Sequence, residues 1–169
     1  GNPAEFNEGD LDMGPLINQG ALKSVEEKVR VAVKQGAVIE YGGSRIEGKG
    51  YFFEPTILSN VTQEMDIMHQ EIFGPVLPIS TFTDLDDVIE MANDCDFGLT
   101  SSVYGRNIND IFYIIRRLEF GETYVNRENF EAMQGFHAGW KKSGVGGADG
   151  KHGLEEFLQT QVVYLETNK

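Results

Sequence analysis

Cysteine is nearly absent: Cys95 is the only one in 169 residues. A lone thiol excludes an internal disulfide and suits a reducing compartment, so a cytoplasmic protein is expected. Positive charge is also scarce. Lys and Arg number 14 against 27 Asp and Glu, for a net charge of −13. Such a surface repels phosphate backbones and anionic lipid, so neither nucleic acid nor a membrane is an expected partner. No apolar run approaches membrane-spanning length, and no signal-peptide pattern opens the chain. The three histidines, His69, His137 and His152, are scattered, and none stands at helical i, i+4 spacing from another ligand. A zinc site therefore has little support.

What is present is enough to fold. With 40% hydrophobic and 11% aromatic residues, the chain can bury a real core. Pro3, Gly9, Gly14 and Pro15 make residues 1–18 a surface loop. From Asn18 the pattern predicts a helix to Gln35, with Leu22, Val25, Val29 and Val33 on one stripe and Gly36 as C-cap. A short strand is expected at Ala37–Tyr41, closed by Gly42-Gly43. Tyr51–Leu58 is β-prone, with Pro55 demoting it to an edge or an extended segment.

Further on, Val76–Phe82 is expected as a buried strand. Thr83-Asp84-Leu85-Asp86 opens a capped helix over Asp84–Asn93. A strand at Leu99–Gly105, a helix from Asn107 to Glu119 and a strand at Glu122–Asn126 follow. The helix turns Ile108, Ile111, Phe112, Ile115 and Leu118 inward. This alternation predicts an α/β fold with a parallel sheet and right-handed crossovers. Residues 127–150 read as a long irregular segment with six glycines, and loops of that length in a compact domain are usually functional. A short helix, Gly153–Gln159, and a β-prone tail, Gln161–Glu166, complete the chain.

Several motifs fail when weighed. Gly144–Gly153 invites a phosphate loop, yet Gly150-Lys151 would need glycine at Val145 and Ser or Thr at His152. Cys95 lies between Asp94 and Asp96, an acidic setting that discourages a thiolate, so it is a poor nucleophile. The segment 127–140 is different. Phe130, Met133, Phe136 and Trp140 lie around Glu131 and His137, and an apolar wall with a few polar groups is what a small-molecule pocket requires. Simple solvation of those polar groups is the competing reading.

Two sets of blocks carry a family resemblance. One is Glu71-Ile72-Phe73-Gly74-Pro75-Val76, with Ala92-Asn93 and Phe97-Gly98-Leu99-Thr100-Ser101-Ser102. The other is Asn126, then Lys142-Ser143-Gly144-Val145-Gly146, then Gly153-Leu154-Glu155-Glu156-Phe157. With Gly1-Asn2-Pro3 and Met13-Gly14-Pro15-Leu16-Ile17, the chain resembles the aldehyde dehydrogenase superfamily from end to end. Asn126 to Trp140 is most similar to the branch acting on lactaldehyde and glycolaldehyde.

The resemblance implies a doubly wound parallel-sheet catalytic domain over 1–160 and an oligomerisation strand over 161–169. It implies NAD or NADP as cofactor, a small aldehyde as substrate, and a homo-oligomer, dimer or tetramer. Glu71 would hold the hydroxyls of the nicotinamide ribose and Phe73 would pack near the nicotinamide. Ser24 stands where the family often places a longer polar or basic residue near that ribose, which puts a direct contact in doubt. Glu131 and His137 would contact the hydroxyl or carbonyl end of the substrate.

The family's cysteine nucleophile, its glutamate and its nucleotide-binding domain would all precede residue 1, so the chain alone is expected to be inactive. The opening Gly1-Asn2-Pro3 suits a truncated or proteolysed C-terminal piece. Two alternatives stand beside this reading: a piece of a broader-specificity or semialdehyde dehydrogenase, and a stand-alone interaction module without catalysis.

Overall fold

A computed structural model describes residues 13–167. The expected loop over residues 1–12, including Gly1-Asn2-Pro3, lies outside the described residues. The chain divides into two compact units, Gly1–Thr83 and Asp84–Lys169.

In the first unit, helix α1 spans Gln19–Gln35. The Asn18 side chain caps it by accepting from the Ala21 N–H at 2.9 Å. Gly36 ends it in the left-handed conformation at φ 117°, its N–H returning to the last-turn carbonyls. Leu22, Val25, Val29 and Ala32 form the buried stripe, whereas Val33, expected to face inward, is 42% exposed. Spacings of three and four carry the stripe to Ala32 in the last turn.

Strands β1 (Val38–Tyr41), β2 (Thr56–Ser59) and β3 (Val76–Pro78) form a mixed sheet in that order. β1 runs antiparallel to β2, and β2 parallel to β3. The β-prone stretch from Tyr51 pairs as a strand only beyond Pro55, which has no N–H to donate. The strand expected at Val76–Phe82 is three residues long and partly exposed, because it is an edge that ends at another proline, Pro78. A single turn, α2 (Asp66–His69), was not anticipated. Leu58 and Val25 are fully buried at the centre of this unit, each worth about 1.5–3 kcal/mol of burial.

The second unit is a β-α-β core with a folded loop beside it. Helix α3 (Leu85–Asn93) starts at Asp84, whose side chain accepts from the Asp86 and Asp87 N–H groups. β4 (Phe97–Gly98) and β5 (Thr100–Val103) lead to α4 (Ile108–Ile115) and β6 (Glu122–Val125). β5 and β6 pair in parallel, Thr100 opposite Glu122 and Val103 opposite Val125, as the alternation requires. α4 stops four residues short of Glu119, and Ile111 is its one fully buried residue, with Ile108 and Phe112 exposed.

Residues 127–150 are not irregular throughout. β7 (His137–Ala138) pairs antiparallel with β9 (Gly147–Ala148), and β8 (Trp140–Lys141) pairs with β4. Helix α5 (Gly150–Glu155) begins three residues before the expected one and ends four before it. The tail from Gln161 joins no ladder, and Val162 to Leu165 are exposed. The fold is therefore α/β as expected. Within the described residues, however, the strands form one mixed sheet and three two-stranded ladders, not one doubly wound parallel sheet. Among the described residues no helix is long and apolar enough to cross a membrane.

Candidate functional site

Residues two apart on a strand share a face, and β6 uses this to pair Glu122 with Tyr124. The Tyr124 hydroxyl donates to Glu122 Oε2 at 2.7 Å. Gly121, just before them, lets another strand come close: a Cβ there would lie 1.5 Å from the Ala138 carbonyl oxygen. β7 occupies that space and brings His137 Nδ1 to 2.8 Å from Glu122 Oε1. Glu122 is 13% exposed and His137 35%, so the pair is sheltered with one imidazole edge open.

The electrostatics follow from this contact. Burial alone would raise the Glu122 carboxyl, but the bonds from Tyr124 and His137 outweigh it and hold it below the ordinary carboxylate range. The Glu122 bond raises the His137 imidazole above its ordinary value against burial, and the charges of Glu122, Glu131 and Asp149 act the same way. Tyr124 is pushed up to about 12, first by its bond to Glu122.

The loop carrying Glu131 starts from a fixed point. Asn126, at φ 53°, accepts from the Gly105 N–H and donates to the Gly105 carbonyl, both at 2.9 Å. Asn129 takes a hydrogen bond from Ser102 and gives one to Thr100 Oγ1. Arg127 lies 5.7 Å from the Tyr124 ring centroid and donates to the Phe130 carbonyl.

In the first unit, a turn presents Glu71 and Phe73. Lys28 Nζ donates to the Glu71 carbonyl at 2.5 Å, and Gly74 sits against Val25, where a Cβ would be 2.5 Å from Cγ2. Both contacts anchor the turn to α1. The Glu71 side chain is exposed. Phe73 is 76% exposed and left-handed at φ 50°, a conformation costing a side chain roughly 1–2 kcal/mol. An aromatic held out of the core under strain is a reason to look for a ligand. Ser24 is exposed one helical turn before Lys28 on α1.

Residues 1–163 match the aldehyde dehydrogenase family. The chain belongs to that family. It is 64% identical over 167 residues to the lactaldehyde dehydrogenase of Escherichia coli strain K12, covering 99% of this chain and 34% of that protein. The crystal structure of lactaldehyde dehydrogenase from Escherichia coli superposes with a TM-score of 0.92 at 63% identity, over 99% of this chain and 35% of that one. The NAD+ complex of an aldehyde dehydrogenase from Bacillus cereus gives 0.90 at 32% identity, over 95% and 33%. The chain thus spans about a third of the length of these relatives.

Within this aldehyde dehydrogenase chain, the structure brings Glu131 near enough to His137 to favour its charged form. His137's direct partner, however, is Glu122, which the sequence reading assigned only to a strand. The i, i+2 pattern Glu122-Thr123-Tyr124 was the available signal. Lys28 was missed as well. Of the apolar residues expected around the loop, Phe130, Met133 and Trp140 are exposed, and Phe136 leans on the His152 ring at 5.2 Å. Cys95 is half-buried just after α3, its sulfur accepting from the Phe97 N–H. Among the described residues no group of acidic, His and Cys side chains could hold a metal.

Proposed function

We propose that this chain is the C-terminal part of an NAD(P)-dependent aldehyde dehydrogenase that oxidises small hydroxy-aldehydes, such as lactaldehyde and glycolaldehyde, to acids. The observation that carries the reading is the 64% identity to a lactaldehyde dehydrogenase over 99% of the chain. The polar cluster around His137 adds a chemical reason. A 2-hydroxy-aldehyde offers a hydroxyl that both donates and accepts, and a carboxylate with an imidazole can satisfy it. Glu131 and His137 take that role.

Glu71 and Phe73 face the cofactor, with Ser24 on the neighbouring helix. The residues fit: an exposed carboxylate can accept from two ribose hydroxyls, and a strained, exposed ring offers a flat apolar face. Bound NAD(P) supplies the hydride acceptor. The nucleophile is not Cys95 but a cysteine outside this chain, and the chain alone does not turn over. Residues 1–160 belong to the catalytic domain. The tail 161–169, exposed over 161–167, is an oligomerisation strand, so the complete enzyme is a cytoplasmic homo-oligomer.

Substrate choice tests the reading. In the complete enzyme, Glu131→Gln or His137→Asn should lower kcat/KM for lactaldehyde by about ten- to a hundredfold, as expected for losing one charged hydrogen bond. Propionaldehyde, which lacks the hydroxyl, should be much less affected. Equal losses for both substrates would remove the hydroxyl-reading role.

A further inference from the structure

We propose that Glu122 is a positioning residue that decides which nitrogen of His137 meets the substrate: it occupies Nδ1, and so Nε2 is the atom offered to the hydroxyl of a 2-hydroxy-aldehyde. This rests on the substrate assignment of His137 made above and adds a residue to it.

Three observations support the assignment. First, the contact is direct, His137 Nδ1 to Glu122 Oε1 at 2.8 Å. The carboxylate's other oxygen is occupied by the Tyr124 hydroxyl at 2.7 Å, so Glu122 is fixed at both ends. Second, the backbone is shaped for it. Glycine at 121 lets Ala138 approach Glu122's own strand, and glycine at 147 lets the opposite strand approach: a Cβ there would be 2.5 Å from the His137 carbonyl oxygen. The backbone of β7 that carries the imidazole is thus held from two sides. Third, Nε2 has no hydrogen-bond partner among the described residues, while about a third of the side chain stays exposed.

The chemistry follows from the acceptor. An ionised carboxylate cannot donate, so neutral His137 must carry its proton on Nδ1, leaving Nε2 bare to accept from the substrate hydroxyl. When the ring is protonated, Nε2–H becomes a donor to the hydroxyl oxygen. The groups facing the ring are Glu122 and Tyr124 from β6, Glu131 from the loop and Asp149 after β9, with Arg127 over the Tyr124 ring. The three carboxylates all favour the charged ring, and Glu122 does so most. His137 is therefore kept a donor further toward neutral pH than a free imidazole.

The test uses the complete enzyme with Glu122→Gln, which keeps size and an acceptor but removes the charge. The first readout is independent of activity: deuterium exchange at the His137 ring C2, followed by mass spectrometry over pH, gives its protonation midpoint. That midpoint should fall in Glu122→Gln. The matching limb of the kcat/KM profile for lactaldehyde should move with it, through KM more than kcat, while the propionaldehyde profile stays in place. An unmoved midpoint overturns the proposal, as does a moved midpoint with equal effects on both aldehydes. If His137→Asn is selective for lactaldehyde while Glu122→Gln is silent, the positioning role fails and the hydroxyl-reading role stands. If His137→Asn is unselective, the hydroxyl-reading role itself fails, and with it the positioning role.

Discussion

Gly121→Ala is a change of one methyl group, and its effect can be worked out from the geometry. The added Cβ would stand 1.5 Å from the Ala138 carbonyl oxygen and 2.7 Å from its carbonyl carbon, where real Cβ contacts essentially never fall under 3.0 Å. The backbone of β7 must therefore retreat by roughly 1.5 Å or more, because a carbonyl cannot swing aside as a flexible side chain does. Retreat of that size carries His137 Nδ1 from 2.8 Å beyond the hydrogen-bond limit of about 3.2 Å. The overpacking costs about 1–3 kcal/mol. Loss of the Glu122–His137 bond adds at most about 1 kcal/mol once the exposure of the imidazole is discounted. Amide exchange should speed up in β7 and β9 by about five- to a thousandfold, as an opening made about 1–4 kcal/mol easier would give. Lactaldehyde selectivity in the complete enzyme should fall with it. Gly14→Ala is the control, since its Cβ would meet nothing within 4 Å. If Gly121→Ala left exchange in β7 and selectivity unchanged, the close approach would not be what places His137.

Other outcomes follow from the same contacts. Phe73→Asn should leave thermal stability equal or slightly higher, because asparagine tolerates the left-handed conformation, while raising the cofactor's KM; a clear drop in melting temperature would make Phe73 structural. Lys28→Met should raise the cofactor's KM about three- to tenfold by freeing the Glu71 carbonyl, and unchanged kinetics at subsaturating cofactor would dismiss the tether. Leu58→Ala should cost about 2–5 kcal/mol in denaturant unfolding. For the Glu122–His137 pair the signs oppose each other. The raised imidazole contributes stability below its ordinary value of about 6.5 and loses it as pH rises through the raised one. The lowered carboxyl contributes above its ordinary range and loses it as pH falls through the depressed value. β7 should therefore be best protected from amide exchange at mildly acidic pH, and a flat profile after correction for intrinsic exchange would contradict this.

Local signals in the sequence were legible because they act over three or four residues. Asn18 and Gly36 cap the first helix where their chemistry says they should, α3 is capped by Asp84, one residue after the Thr83 that the expected capping box would use, and the β5-α4-β6 alternation forms the parallel pair it implies. What failed depended on partners far along the chain. Val76–Phe82 looks like a buried strand by composition, yet only three residues find a neighbour to pair with. The short ladders of β7, β8 and β9 carry no periodicity, since two residues cannot show a period. The site divided along the same line. His137 and Glu131 stood out as polar groups among aromatics, but Glu122 was read as a strand residue, because its bond to His137 spans fifteen positions.

The pair of hydrogen bonds between Asn126 and Gly105 has a consequence for how such a protein can change. It ends the β5–β6 ladder with a side chain imitating one more strand residue, so everything after it begins from a stationary origin. Up to β7, which the close approach at Gly121 fixes, residues 127–132 are held chiefly through Arg127 and Asn129, and 133–136 also through the Gly150 N–H donating to the Met133 carbonyl and Phe136 against His152. Exchanging most of that stretch would disturb few buried contacts and would leave the ladders at either end intact. Substrate preference can then drift by swapping loop residues in blocks, with folding almost indifferent to the exchange, and a library confined to 128 and 130–132 is where new aldehyde choices should be found most cheaply.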